Sequence, residues 1–196
     1  TSWGARLRLS DDADLTGLHA AVDRVSSDGY ELVELGPGEA EEATTLDDAC
    51  AADYTWTPAT GHEPLDAAAL AAHMDGDGWR VFGARYRTPS AGVAEPTVEP
   101  PAHSTQPVAR SLTLVAITLT CPMQGRTEVD RTCVAVGHRR RGLATAIKAA
   151  SILAGYAAGQ RVWGTGGAAV NAGSLAANRA LGFELEPLWH SLEEPA

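Results

Sequence analysis

The stretch from Glu128 to Ala150, EVDRTCVAVGHRRRGLATAIKAA, constrains this chain more than any other. A β-rich run, Thr132-Cys133-Val134-Ala135-Val136, enters the basic turn Gly137-His138-Arg139-Arg140-Arg141-Gly142. That turn opens into a segment whose apolar residues Leu143, Ile147, Ala150 and Ala154 keep helical spacing. Strand, basic turn and helix in that order predict an anion site. The first turn of a helix leaves backbone N–H groups unpaired and carries the positive end of the macrodipole, so a phosphate there collects several charge-assisted hydrogen bonds. Gly142 lets backbone approach a ligand closely, and three consecutive arginines supply planar donors suited to phosphate oxygens. A solvated basic turn capping an ordinary amphipathic helix is the alternative that the turn alone leaves open.

Arg139-Arg140-Arg141-Gly142-Leu143-Ala144 resembles the (Q/R)-x-x-G-x-(G/A) signature of the GNAT family of N-acyltransferases, with a strand before it and a helix after it as in that family. Downstream, Asn171-Ala172-Gly173-Ser174 and then Leu181-Gly182-Phe183 resemble the block that ends most GNAT domains. Trp163 to Leu192 and Thr57-Pro58-Ala59-Thr60 are similar to segments of an actinobacterial group within the family. The resemblance implies an α/β fold with a mixed central sheet flanked by helices. It also implies acetyl-CoA or a related acyl-CoA as co-substrate, without a metal, and acetyl transfer to a primary amine of a small molecule or peptide. On its motifs, the CoA-contacting positions are Val134, Val136, Arg139, Arg140, Arg141, Gly142, Leu143, Ala144, Thr145, Asn171, Ser174 and Asn178.

At 196 residues the chain suits one well-buried domain with an appendage. A net charge of −10 argues against nucleic acid and anionic membrane as partners, and favours a cationic acceptor such as an amine. The same charge also serves plain solubility. Cys50, Cys121 and Cys133 are odd in number and widely spaced, fitting neither a disulfide framework nor a zinc site, so a reducing, cytoplasmic setting is expected. No stretch is apolar enough to span a bilayer, and residues 1 to 20 lack the apolar core of a signal peptide.

Residues 1 to 35 read as strand, helix and strand, with Asp11 or Asp12 as cap and Leu15, Leu18, Val22 and Val25 on one helix face. The GNAT-like domain begins at Tyr30 on the resemblance, so residues 1–29 form a leader before a domain of residues 30–196. That leader is either the remnant of a tandem arrangement or a dimerisation arm. A helix from Ala40 to Tyr54 presents Ala43, Leu46, Cys50 and Tyr54, and another follows Leu65. The intervening loop forms a wall of the acceptor pocket in the resembled fold, which makes Asp53, Trp56, His62 and Glu63 candidates for holding the amine. Trp56 as core and His62 as an exposed loop residue are the plainer alternatives. Gly78 to Arg87 alternates as a strand, residues 88–108 are a flexible proline-rich insertion, and SLTLVAITLT at Ser111 to Thr120 is expected to be a central strand.

Alternation places Glu128, Asp130, Thr132 and Val134 on one face of a strand. An ammonium has no lone pair with which to attack a thioester, so a carboxylate near the amine takes its proton. Alignment of Val134 with the family's acyl-CoA-contacting valine makes Glu128 the first candidate base and Asp130 the second. Gly164-Thr165-Gly166-Gly167-Ala168-Ala169 fits G-x-G-x-x-(G/A), but too little chain follows for a dinucleotide-binding βαβ unit, so a flexible glycine turn is expected. Asn171 suits a helix cap and, by resemblance, a pantetheine contact. Where many GNAT enzymes carry a tyrosine that protonates the departing thiolate, this chain has Asn178, with Tyr156 and Tyr54 as stand-ins. After Phe183, Leu185 to Leu192 is the expected closing strand, with Trp189 and His190 near a pocket or a dimer interface. A non-catalytic acyl-CoA-binding module, half of a tandem or dimeric assembly, is the alternative function.

Overall fold

The computed structural model describes residues 2–54, 63–87 and 112–187. The proline-rich insertion, Trp56, His62, Trp189, His190 and most of the expected closing strand lie outside the described residues. Seven strands, β1 (Ser2–Arg8), β2 (Tyr30–Leu35), β3 (Arg80–Arg87), β4 (Leu112–Met123), β5 (Arg126–Val134), β6 (Val162–Ala168) and β7 (Glu184–Leu185), form one sheet. Its spatial order is β2-β3-β4-β5-β6-β1-β7. Every pairing is antiparallel except β5 with β6, the two strands that the long helix α4 (Leu143–Ala157) connects.

Helices cover both faces. α1 (Thr16–Ser27) and α4 lie on one face, burying Val25, Leu143 and Ile147 against Val115 and Ala116, and Leu18 and Ile152 against Leu7 and Trp163. α2 (Ala40–Ala49) and α3 (Ala67–Gly76) lie on the other, packing Ala43 and Leu70 against Leu35, Val81, Ile117, Leu119 and Cys133. α5 (Ala172–Ala180) packs beside α4. β4 is therefore covered on both faces, which is why Leu114 to Cys121 is buried without alternation. α4 approaches β6 closely because Gly155 sits against the Trp163 indole, where a Cβ would lie 3.1 Å from Cζ2.

The strand and helix expected in residues 1–29 are β1 and α1, and β1 lies inside the sheet between β6 and β7 with Trp3, Ala5 and Leu7 in the core. Two expectations change. The N-cap of α1 is Leu15, which offers no side-chain cap; Asp14 just before it, not Asp11 or Asp12, accepts from the Thr16 amide through Oδ1 at 2.9 Å. The glycine-rich run from Gly164 to Ala168 is strand rather than turn: it pairs with β1, and Gly167 admits the Trp3 indole, which a Cβ would meet at 3.0 Å. The fingerprint spacing there serves strand packing.

Candidate functional site

β5 and β6 pair only from Thr127–Trp163 to Val129–Thr165, after which they separate while β5 continues to Val134. A bulge in β5 falls at the point of separation. Thr120 faces Val129 and Leu119 faces Arg131, leaving Asp130 as the extra residue. The bulge also reverses the alternation, which corrects the expectation that Glu128, Asp130, Thr132 and Val134 share a face. Val129 packs towards α4, whereas Cys133 packs towards α2. Cross-strand pairs point to one side, so Glu128, opposite Cys121, faces the α2–α3 side, and Val134, opposite Ala116, faces α4.

At the open edge, the Ala135 amide donates to Val115 O at 2.8 Å. Successive amides of a strand point to opposite edges, so the Val134 N–H points into the split. The Val134 carbonyl on that edge accepts from Arg139 Nε at 2.9 Å.

The basic turn then reverses the chain. Gly142 has φ +82° and Arg140 has φ +63°, two left-handed residues that wind the backbone onto the start of α4. The Ala146 amide is the first to close a helical bond, to Gly142 O at 3.0 Å, so the amides of Leu143, Ala144 and Thr145 have no partner inside the helix. Arg140 and Arg141 are exposed and form no ion pair among the described residues. Arg139 differs from both. Its guanidinium grips both oxygens of Asp53 as well as the Val134 carbonyl, tying the turn to the end of α2. Arg139 is a clasp, and Asp53 is its counter-ion.

These elements enclose a groove of about 850 Å³. Arg139, Arg140, Gly142, Leu143, Ala144 and Thr145 line its mouth, and Asn171 and Ser174 of α5 line the opposite wall. Thr132 and Val134 from the α4 side and Cys133, Cys50 and Tyr54 from the α2 side also contribute, so the groove passes through the split sheet. Asn171 caps α5 as expected, its Oδ1 accepting from the Ser174 amide at 3.0 Å. Leu143 is anchored in the core, leaving its backbone to meet a ligand. Val136 is 73% exposed on the outside of the turn and does not line the groove.

Asn178 is fully buried, and its Oδ1 accepts a 2.8 Å hydrogen bond from Lys148 Nζ, while its Nδ2 has no hydrogen-bond partner among the described residues. Lys148 does line the groove, is only 3% exposed, and is held by burial at a pKa of about 8. Sequence reasoning passed over it. The available signal was its uniqueness: among fifteen basic side chains it is the sole lysine, set within the apolar run Ala-Ile-Lys-Ala-Ala.

Neither expected base lines the groove. Glu128 is paired with Arg126 at 2.7 Å and lies five residues along β5 from Cys133, roughly 16 Å at strand rise. Asp130 is nearer, roughly 10 Å by the same measure, exposed at the bulge and 3.2 Å from Arg131. Arg131 itself reaches Asp47 at 2.6 Å and the Glu63 carbonyl at 3.1 Å. Glu63 therefore meets this side through its backbone, and Tyr54 completes the cluster by donating to Asp47 Oδ1 at 2.9 Å. Burial pushes the Tyr54 phenol and the Cys133 thiol well up, and holds the Cys121 thiol at about 11, so neither cysteine is a ready nucleophile. His138, bonded through Nδ1 to Tyr30 Oη at 3.0 Å, has its pKa lowered by burial and by neighbouring Arg141.

Among the described residues there is no cluster of His, Cys, Asp or Glu suited to a metal ion, and no helix long and apolar enough to cross a membrane. No protein-family profile and no curated protein matches the sequence. Solved structures match by fold. A GCN5-related N-acetyltransferase-like protein from Streptococcus suis 89/1591 superposes with a TM-score of 0.57 at 15% identity, over 95% of this chain and 59% of its own. An aminoglycoside N-acetyltransferase in complex with CoA gives 0.55 at 15% identity, over 85% and 95%. A tandem GNAT protein from the clavulanic acid biosynthesis pathway gives 0.55 at 20% identity, over 93% and 49%. The chain thus spans under two thirds of the first of these and about half of the last. Its fold is that of the GNAT acetyltransferases.

Proposed function

We propose that the groove binds an acyl-CoA, acetyl-CoA in the simplest case, and that the protein transfers the acyl group to a primary amine on a small molecule or peptide. The observation that carries this is one continuous groove lined by the amide-rich start of α4 and by Arg140, which has no ion pair among the described residues, with Arg141 exposed beside it; the groove's interior runs through split strands. The CoA phosphates sit at the amides of Leu143, Ala144 and Thr145 with Arg140 and Arg141 as counter-charges. The pantetheine arm lies along the open edge of β5, between that edge and Asn171. The thioester carbonyl accepts from the Val134 N–H, which polarises it towards attack.

The acceptor enters from the α2–α3 side, where Asp53, Glu63, Tyr54 and the β5 carboxylates lie. Attack requires a neutral amine, so a carboxylate takes the ammonium's proton, directly or through water. Asp130 is the better placed of the two candidates and Glu128 the second, since Glu128 is held by Arg126 further from the split. The C–N bond forms, the C–S bond breaks, and CoA leaves as a thiol.

A second function, holding acyl-CoA without turnover, is favoured by one observation: Asn178 is buried behind Lys148 and offers no acid to the thiolate. Calorimetry with acetyl-CoA, followed on the same sample by thiol release against a panel of primary amines, separates the two. Binding with turnover supports transfer; binding without turnover across amines of every class supports the holding module. No binding refutes both.

A further inference from the structure

We propose that Lys148 is the proton donor to the departing thiolate, a group that the sole lysine of the chain presents from within α4 to the interior of the groove. The inference rests on the acyl-CoA groove proposed above and adds the residue that completes its proton balance.

Three observations converge on Lys148. It lines the groove together with Thr132 and Val134, and lies two residues into the second turn of α4, roughly 9 Å along the helix axis from Gly142. It is a buried cation whose one hydrogen-bond partner among the described residues is the neutral Asn178 Oδ1 at 2.8 Å. An ammonium carries three protons, so two remain to be directed elsewhere. The polar groups beside it are uncharged: Asn178 on α5 accepts from Nζ, Ser151 on α4 donates to its carbonyl, and Thr132 on β5 lines the same groove, whose charged lining residues Asp53, Arg139 and Arg140 belong to the clasp and the basic turn. Burial is the whole cause of its lowered pKa, with no carboxylate acting on it. A buried cation without a counter-charge among the described residues is held ready for an anion supplied from outside, and the groove's own chemistry generates one.

The choice of residue type supports the assignment. Every other basic position is arginine, fourteen in all, which remains protonated throughout any working range. The one position that faces the leaving group carries the side chain able to lose and regain a proton. In the reaction, the C–S bond breaks and the sulfur keeps the electron pair. A proton passes from Lys148 Nζ to that sulfur, leaving CoA as a thiol and Lys148 as a neutral amine, which recovers its proton from solvent as CoA leaves. Asn178 is a positioning residue here: it holds Nζ through one proton, leaving the other two, and contributes no proton.

The test reads the sulfur directly and needs no acceptor. CoA is bound to the wild type and to Lys148→Met, and the ultraviolet absorbance of its thiolate is titrated in each complex beside free CoA. The wild type is expected to lower the bound thiol's pKa enough to raise the thiolate fraction about tenfold or more at a given pH. Lys148→Met is expected to lose that increase while binding CoA within a few-fold of the wild type. Lys148→Gln, which keeps a hydrogen bond to Asn178 but no charge, should behave like the Met variant. Equal thiol titration in wild type and both variants overturns the inference and leaves the groove assignment intact. Failure of the wild type to bind CoA removes both. With an acceptor amine in hand, Lys148→Met is expected to lower kcat about 10²-fold or more with KM for acetyl-CoA little changed; a change confined to KM also overturns the donor role.

Discussion

Replacing Lys148 by methionine should make the protein more stable at neutral pH. Free lysine titrates near 10.5, and burial brings Lys148 to about 8. The difference corresponds to about 3 kcal/mol of preference for the neutral amine in the folded state. Between pH 8 and 10.5 the unfolded chain holds a proton that the folded chain has released, so this contribution to stability rises with pH across that window. Below pH 8 the amine is protonated in both states and the full destabilisation is present. Methionine matches the aliphatic stem and removes the charge. It also deletes the 2.8 Å bond to Asn178 and strands a buried amide oxygen, a loss of about 1–2 kcal/mol. The net expectation at pH 7 is a gain of about 1–2 kcal/mol, which for a chain of this size raises Tm by roughly 2–8 °C. Thermal unfolding by circular dichroism at pH 6, 7, 9 and 10, on both proteins, reads the difference, and the ionisation of other groups cancels. The advantage should be constant from pH 6 to 7 and vanish or reverse by pH 10. A methionine variant less stable than the wild type at pH 7, or a difference independent of pH, refutes the reasoning. Because the chain holds one lysine, selective isotope labelling gives a single side-chain resonance whose titration near 8 checks the premise.

Gly142→Ala forces a side chain into φ +82° and should cost roughly 1–2 kcal/mol in urea unfolding while weakening CoA binding; unchanged affinity removes the turn as phosphate site. Arg140→Ala and Arg141→Ala should each weaken CoA binding and flatten its salt dependence without loss of stability, measured by calorimetry at two ionic strengths. Asp130→Asn should lower turnover more at neutral than at alkaline pH, and more than Glu128→Gln does; a pH-independent loss excludes Asp130 as base. Arg131→Leu leaves the fully buried Asp47 carboxylate without its guanidinium and should destabilise by about 3–5 kcal/mol in urea unfolding, with a loss under about 1 kcal/mol refuting a structural role for that pair.

The strand–turn–helix at the centre of the site was legible because each part carries a local signal: β-branched residues, glycine at a left-handed position, and helical spacing after it. The cap at Asn171 was legible for the same reason. What sequence could not supply was the bulge at Asp130. Nothing in Glu-Val-Asp-Arg-Thr announces an extra residue, because the bulge answers to β4 and to the separation from β6, and one such residue inverts every facing beyond it. Three adjacent arginines look alike in sequence, yet Arg139 is committed to Asp53 and Val134 while its neighbours form no ion pair among the described residues; the distinction lies in what the end of α2 brings near. Lys148 was hidden by its apolar neighbours, which mark the core face of a helix and gave no warning that the groove cuts into that face.

The position of β1 governs the order in which the protein can be completed. Ser2 to Arg8 pairs with Ala168 to Val162 on one side and with Leu185 and Glu184 on the other. During synthesis β1 therefore waits for partners made some 160 residues later, roughly 10–30 s at ordinary elongation rates. Until then Trp3, Ala5 and Leu7 have no β6 to cover them, although β2, β3, β4 and β5 can already assemble in sequence as neighbours. Closing the loop between β1 and β6 is a slow, non-local event of folding. The groove shares that dependence, since its α5 wall arrives with the same late segment: no nascent chain that stops before α5 holds all of the residues that line it.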